Sequence, residues 1–242
     1  MDAADAVVHL AGAGIGDKRW TEDYKRTILR SRVDGTTTIA SAIARATDPP
    51  NVLLSASAVG YYGAHGDEVV TEETPAGAGF LAEVCVAWER EAAAAEELGM
   101  RVVRLRTGVV LDRGGGALAR MLPPFRLGAG GPVAGGRQYL PWIHADDLVG
   151  PYLRALDDPA WSGAYNAAAP EPVTNAEFSK ALGRALHRPA VAPVPALALK
   201  LLYGDMAEIV TEGQRAVPRR ALELGYAFRH PDLDEALRDA VG

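Results

Sequence analysis

From Asp5 the chain runs Ala6-Val7-Val8-His9-Leu10-Ala11-Gly12, a short and nearly unbroken apolar stretch closed by glycine. A run of this length between turn residues predicts a strand buried on both faces, as strands of parallel sheets are. Thr21 then stands where a helix N-cap would. Tyr24, Ile28, Leu29, Val33, Thr36 and Ile39 follow at helical spacing, which predicts one long helix to Ala44. Asn51 to Ser57 and Arg101 to Arg106 repeat the buried-strand pattern. Between them an alanine- and glutamate-rich helix is predicted from Gly79 to Glu97, with Leu98-Gly99 as its stop. Strands alternating with helices of this length imply a parallel sheet with right-handed crossovers.

Further along, a helix is predicted near Ala117 to Phe125, then a glycine-rich loop at 128–136 and a short strand over Tyr139 to Ile143. Asp146 and Asp147 open a helix to Leu156. After Pro170 the texture becomes less regular. Thr174 to Leu186 reads as a helix, prolines at 189, 193 and 195 break it, Leu197 to Tyr203 resumes it, and a last helix starts at Asp232. The expected architecture is α/β: a parallel-sheet domain at 1–169 and a small, mostly helical C-terminal cap at 170–242 on the substrate side.

Composition narrows the function classes. Hydrophobic residues make up 48% and charged residues 23%, which fits a globular chain rather than a disordered one. A net charge of -6 leaves no cationic excess for a phosphate backbone, so nucleic acid is not an expected partner; a small-molecule substrate is. Cys85 is the only cysteine, which excludes an intrachain disulfide. No apolar run reaches membrane-spanning length, and the opening residues lack a basic n-region, so the expectation is a cytoplasmic chain without a membrane partner. Nothing in the pattern fixes an oligomeric state.

Gly12-Ala13-Gly14-Ile15-Gly16 follows a strand, but the dinucleotide fingerprint needs glycine at the sixth place, where Asp17 stands. A tight turn and the close approach of a ribose both remain open for these glycines. More specific are Asp17-Lys18-Arg19-Trp20-Thr21, Ser55-Ala56-Ser57-Ala58-Val59-Gly60-Tyr61-Tyr62-Gly63 and Leu105-Arg106-Thr107-Gly108-Val109-Val110-Leu111. With Met121 to Arg126, Trp142 to Asp147 and Gly213 to Pro218, they make the chain resemble the atypical short-chain dehydrogenase/reductases of the epimerase family, the YfcH-like proteins of bacteria among them. The likeness extends over essentially all 242 residues, the tail resembling that group's own small C-terminal domain.

The resemblance implies a Rossmann-type parallel sheet lacking its first strands, since members open with a strand, a Gly-x-x-Gly-x-x-Gly turn and a helix ahead of the segment that starts here. It therefore implies an N-terminally truncated chain. It implies NAD(P) as cofactor, with NADP favoured, although the groups that separate the two lie in the expected upstream part. Cofactor contacts are expected at the strand ends: Leu10, Ala11 and Gly12, then Ser55 and Ala56, then Arg106, Thr107, Gly108 and Val109. Ser57 falls at the family's catalytic serine position. Leu81 and Cys85, however, occupy the places of the Tyr and Lys whose coupled ionisation supplies acid/base chemistry, and neither does that job. Tyr61 and Tyr62 are the candidate replacement phenols, with a packing role open for both.

Cys85 reads as an inert core thiol. His144-Ala145-Asp146-Asp147 reads as a helix start in which the acids favour the positive end of the helix dipole; no histidine has metal-ligand spacing. The loop at 128–136, flanked by Arg126, Arg137 and Gln138, is either a pocket lining or a mobile surface loop. Two functions from different classes follow: an NAD(P)-dependent epimerase/dehydratase-like oxidoreductase acting on a small metabolite, or a non-catalytic NAD(P)-binding sensor that has lost the Tyr-Lys pair. Whether the chain as it stands binds a dinucleotide at all is a third question.

Overall fold

A computed structural model describes residues 4–242. β1 (Ala6–His9) leads into α1 (Glu22–Ala44), and Thr21 caps that helix by accepting from Tyr24 N at 3.2 Å. β2 (Val52–Ala58) ends in a 3-10 turn at Val59–Tyr62, followed by β3 (Val69–Val70) and α2 (Phe80–Ala93). α2 stops short of Glu97 because the chain tightens into a 3-10 turn, Glu96–Leu98, before Gly99 turns left-handed at φ 78°. Then come β4 (Arg101–Thr107), β5 (Val109–Leu111), α3 (Gly116–Arg126), β6 (Tyr139–Leu140), β7 (Trp142–His144) and α4 (Ala145–Asp157). The remainder is β8 (Gly163–Ala167), β9 (Val173–Thr174), α5 (Asn175–Ala185), α6 (Ala196–Tyr203), α7 (Glu208–Thr211), β10 (Arg215–Ala216), α8 (Arg219–Glu223) and α9 (Leu233–Val241).

The single strand expected at 139–143 is thus two. Pro141 has no N–H to offer a ladder, and its carbonyl accepts from Val109 N at 2.7 Å. β6 turns to pair antiparallel with β9, while β7 pairs parallel with β5.

The main sheet has four strands, all parallel, in the order β1-β2-β4-β8. Side-chain alternation along β2 and β4 divides the core. Val52, Leu54, Val103 and Leu105 face Ile143, Ala155, Trp161 and Tyr165 on the α4 side. Leu53 and Val102 face Ile43, Ala92 and Met100 on the α1 and α2 side. Arg101 closes the end of α4 by donating to the carbonyls of Ala155 and Trp161 at 2.7 and 2.8 Å. β1 is an edge strand, with Val8 45% and Leu10 60% exposed.

Residues after Pro170 share a core with earlier ones: Phe178, Leu182 and Leu237 pack with Leu111, Leu118, Leu122, Phe125 and Trp142. α8 and the following Tyr226 and Phe228 return to the α4 face of the sheet. β10 pairs parallel with β3, matching Arg215 to Val69 and Ala216 to Val70. Among the described residues no helix is long and apolar enough to cross a membrane.

Candidate functional site

Open parallel sheets take ligands just beyond the carboxyl ends of their strands. The register places His9 beside Ser55 and Ser57 beside Arg106, so the predicted strand-end residues of β1, β2 and β4 lie side by side at that end. They form two zones of different character.

The first is a buried polar network between β2, β4 and α2. The Arg106 guanidinium, 4% exposed, grips the Glu89 carboxylate with both arms: Nε donates to Oε1 at 2.8 Å and Nη2 to Oε2 at 2.9 Å. Its Nη1 donates to the Tyr62 hydroxyl at 2.9 Å. Tyr62 in turn donates to Asn166 Oδ1, and Ser57 Oγ donates to Glu89 Oε1, each at 2.7 Å. Asn166 is fixed from the other side: its N–H meets Glu72 Oε1 at 3.0 Å and its Nδ2 meets Val217 O at 2.9 Å.

Electrostatics follow from this burial. Desolvation pulls the Arg106 pKa down, but the Glu89 hydrogen bonds and charge outweigh it and hold the guanidinium above its ordinary value. Burial pushes the Tyr62 phenol up to about 12, so it stays protonated at neutral pH. Burial also raises the Glu72 carboxyl, against the opposing effect of the Asn166 and Arg220 N–H groups. Ser57 and Tyr62 each have one proton, and both protons are already donated within the network. Tyr61 differs. Its ring lies over the Arg106 guanidinium at 3.5 Å, it is half-buried, and among the described residues its hydroxyl has no hydrogen-bond partner.

The second zone is an open rim. Leu10, Ala11 and Gly12 are exposed, and Ala56, Thr107, Gly108 and Val109 are half-buried; Ser55 lies beneath them, buried. A Cβ on Gly12 would come within 3.1 Å of Arg32 Cζ. That half-buried guanidinium reaches up from α1 to donate to Ala13 O at 3.0 Å and stacks 4.9 Å from the Trp88 ring. Gly108 has a different reason to be glycine, since a Cβ there would sit 2.6 Å from Pro141 O.

Other motifs take structural places. Burial pushes the Cys85 thiol up to about 12, which leaves it unreactive at neutral pH. The loop at 128–136 is packed: a Cβ at Gly131 would strike Ala192 O at 2.2 Å, and Val133 bridges Val194. His144 caps α4, and Asp147, 1% exposed, accepts from the backbone N–H groups of Arg229 and His230.

Glu89, Glu72, Asn166 and Arg32 escape a reading of the sequence. One signal for the first exists: Glu89 falls at helical spacing on the apolar stripe of Ala82, Cys85 and Ala92, and it and Arg106 in a buried strand are opposite charges that each require a partner.

Comparison with known proteins gives consistent results. The model of the NAD dependent epimerase/dehydratase family matches residues 1–168, and a domain of unknown function, DUF1731, matches 194–240. The mouse (Mus musculus) epimerase family protein SDR39U1 is 42% identical over 245 residues, spanning 100% of this chain and 83% of its own length. An Arabidopsis thaliana homologue described as chloroplastic is 44% identical over 240 residues, 98% of this chain and 69% of its own length. The crystal structure of human SDR39U1 (isoform 2) with NADPH superimposes with a TM-score of 0.94 at 37% identity, covering 100% of this chain and 83% of that one.

Proposed function

The chain belongs to the NAD dependent epimerase/dehydratase family, among its SDR39U1-type atypical short-chain dehydrogenase/reductases, and from that premise we propose that it binds a reduced nicotinamide dinucleotide, NADPH ahead of NADH, at the rim of β1, β2 and β4. The observation that carries the proposal is the open backbone at Leu10, Ala11 and Gly12 beside Ala56 and Thr107, backed by the Arg32 cation. An exposed strand end over a half-buried positive charge suits a flat, anionic ligand. A bound nicotinamide would supply hydride chemistry.

The chain's own contribution is a rigid floor and one proton donor. Ser57 and Tyr62 hold Glu89 and Arg106 in place, Arg106 holds the Tyr61 ring, and Tyr61 offers the free phenol to the oxygen of a small metabolite. Division at 169/170 leaves the later residues as the substrate-side wall of that cleft. A second function, non-catalytic sensing of the nucleotide, is favoured by the resemblance, which puts Leu81 and the inert Cys85 at the places of the family's Tyr and Lys.

The test is calorimetric titration with NADPH and NADH of protein expressed with whatever in-frame codons precede Met1, at about 50 μM protein, where micromolar binding gives clear heats. Heat from neither nucleotide overturns the proposal. Given binding and a turned-over substrate, Tyr61→Phe should lower the rate roughly 10² to 10⁴-fold. Full activity in that variant removes Tyr61 from the reaction, and binding without turnover of any substrate selects the sensor.

A further inference from the structure

His144 and His230 lie far apart in sequence but adjacent in space, with ring centroids 4.0 Å apart and tilted by 40°. Both are held from the backbone. His144 sits at the junction of β7 and α4, 5% exposed, and His230 N donates to the buried Asp147 at 2.8 Å. Ligand atoms of His144, His230 and Asp146 all fall within 4.8 Å of one another. His230 Nδ1 is buried and, among the described residues, has no hydrogen-bond partner. His144 Nδ1 accepts weakly from Asp146 N at 3.3 Å, and Nε2 lies 3.2 Å from Asp239 Oδ2 on α9. The remaining charge facing the group is Arg229, whose Nη1 is 4.0 Å from Asp146 Oδ2 with both side chains largely exposed.

We propose that His144, His230 and Asp146 form a binding site for a divalent transition metal of the zinc class. Two imidazoles and a carboxylate are borderline donors that suit such an ion and suit calcium or magnesium poorly. Ligand atoms around a tetrahedral ion with bonds of about 2.0 Å stand roughly 3.3 Å apart. The exposed Asp146 side chain is free to close the extra distance, while the two rings are already fixed. Coordination through His144 Nδ1, which gives up its weak bond from Asp146 N, leaves Nε2–H to donate to Asp239 Oδ2, the carboxylate-supported arrangement usual for metal-bound histidine. The ion would also give the orphaned His230 nitrogen an electron-pair acceptor. Its effect would be mechanical: it would tie the start of α4 to the 229–230 segment and, through Asp239, to α9.

The test uses the full chain stripped with EDTA, then titrated with zinc chloride by calorimetry and with cobalt(II) by visible absorption. One equivalent of zinc is expected, with a higher melting temperature and, for cobalt, the intense visible bands of a low-coordinate nitrogen/oxygen site. Affinity should fall at least about tenfold in His230→Ala and in Asp146→Asn. It should be unchanged in His187→Ala, an exposed histidine elsewhere. Should His230→Ala fail to give a cooperative melt in EDTA, Asp146→Asn decides, because that exposed carboxylate contributes little to the fold. No zinc binding by the wild type, equal affinity in wild type and Asp146→Asn, or a loss confined to His187→Ala overturns the site.

Discussion

Around Arg106 the guanidinium, a phenol, a hydroxyl and the Glu89 carboxylate are bonded to one another out of reach of water; at Leu10 to Gly12, on the far side of β2, the backbone lies open. Both zones sit at the carboxyl end of one parallel sheet. The difference separates two requirements of a binding site. A floor has to hold its geometry, and a buried ion pair with every arm engaged does so at the cost of its own protons. A rim has to offer surface, and small or exposed residues do so while adding little to stability.

Substitutions at the two zones should therefore fail in opposite ways. The largest effect is expected from Glu89→Ala, which strands a buried guanidinium; removing one partner of such a pair costs about 3 to 5 kcal/mol, to be read as a drop in the urea midpoint. A loss below about 1 kcal/mol would mean that water reaches Arg106 and that the floor is not rigid. Tyr62→Phe should cost about 1 to 3 kcal/mol, because Arg106 Nη1 loses an acceptor and Asn166 Oδ1 a donor, while nucleotide affinity in the same calorimetric assay stays at the wild-type value. Leu10→Gln should behave in reverse: stability within about 0.5 kcal/mol of wild type, as befits an exposed site, with nucleotide affinity reduced by up to about tenfold. If affinity is unmoved there, the ligand does not use the rim.

The smallest effect concerns pH. Burial raises the Glu72 carboxyl above its ordinary 4.5, so the folded chain holds that proton more firmly than the unfolded chain does. Its contribution is complete below that value and is lost as pH rises through the folded pKa. Wild type should accordingly lose ground to Glu72→Gln as pH rises from 4.5, in denaturation midpoints measured side by side; wild type gaining on the variant with rising pH would contradict the assignment.

Much of the fold is legible in the chain because its signals are local. Thr21 and Thr174 cap the helices that they precede, and Thr174 completes a capping box with Glu177. Gly99 stops where a left-handed residue is needed. β8 is not legible: Gly163, Ala164, Tyr165, Asn166 and Ala167 form no apolar run, and what makes them a strand is the parallel pairing with β4, to which the chain returns only after α4. The chemistry is legible only as positions. Ser57, Tyr62 and Arg106 stand out by resemblance, but that they spend their hydrogens on Glu89 and Asn166 depends on contacts between distant segments. His144 and His230 are the same case, since no spacing rule connects them.

The β3 and β10 ladder has a consequence for the order in which the molecule assembles. Every ladder of the main sheet is parallel, so no strand finds its neighbour through a hairpin, and topologies dominated by distant pairings fold slowly. Val69 and Val70 wait for Arg215 and Ala216, and Glu72, which braces Asn166, waits for the N–H of Arg220. On the ribosome α1 to α5 and the whole of the main sheet are synthesised before those residues are. The floor of the site is therefore among the last parts to close, and until it does the Arg106 and Glu89 charges share a half-built interior with water.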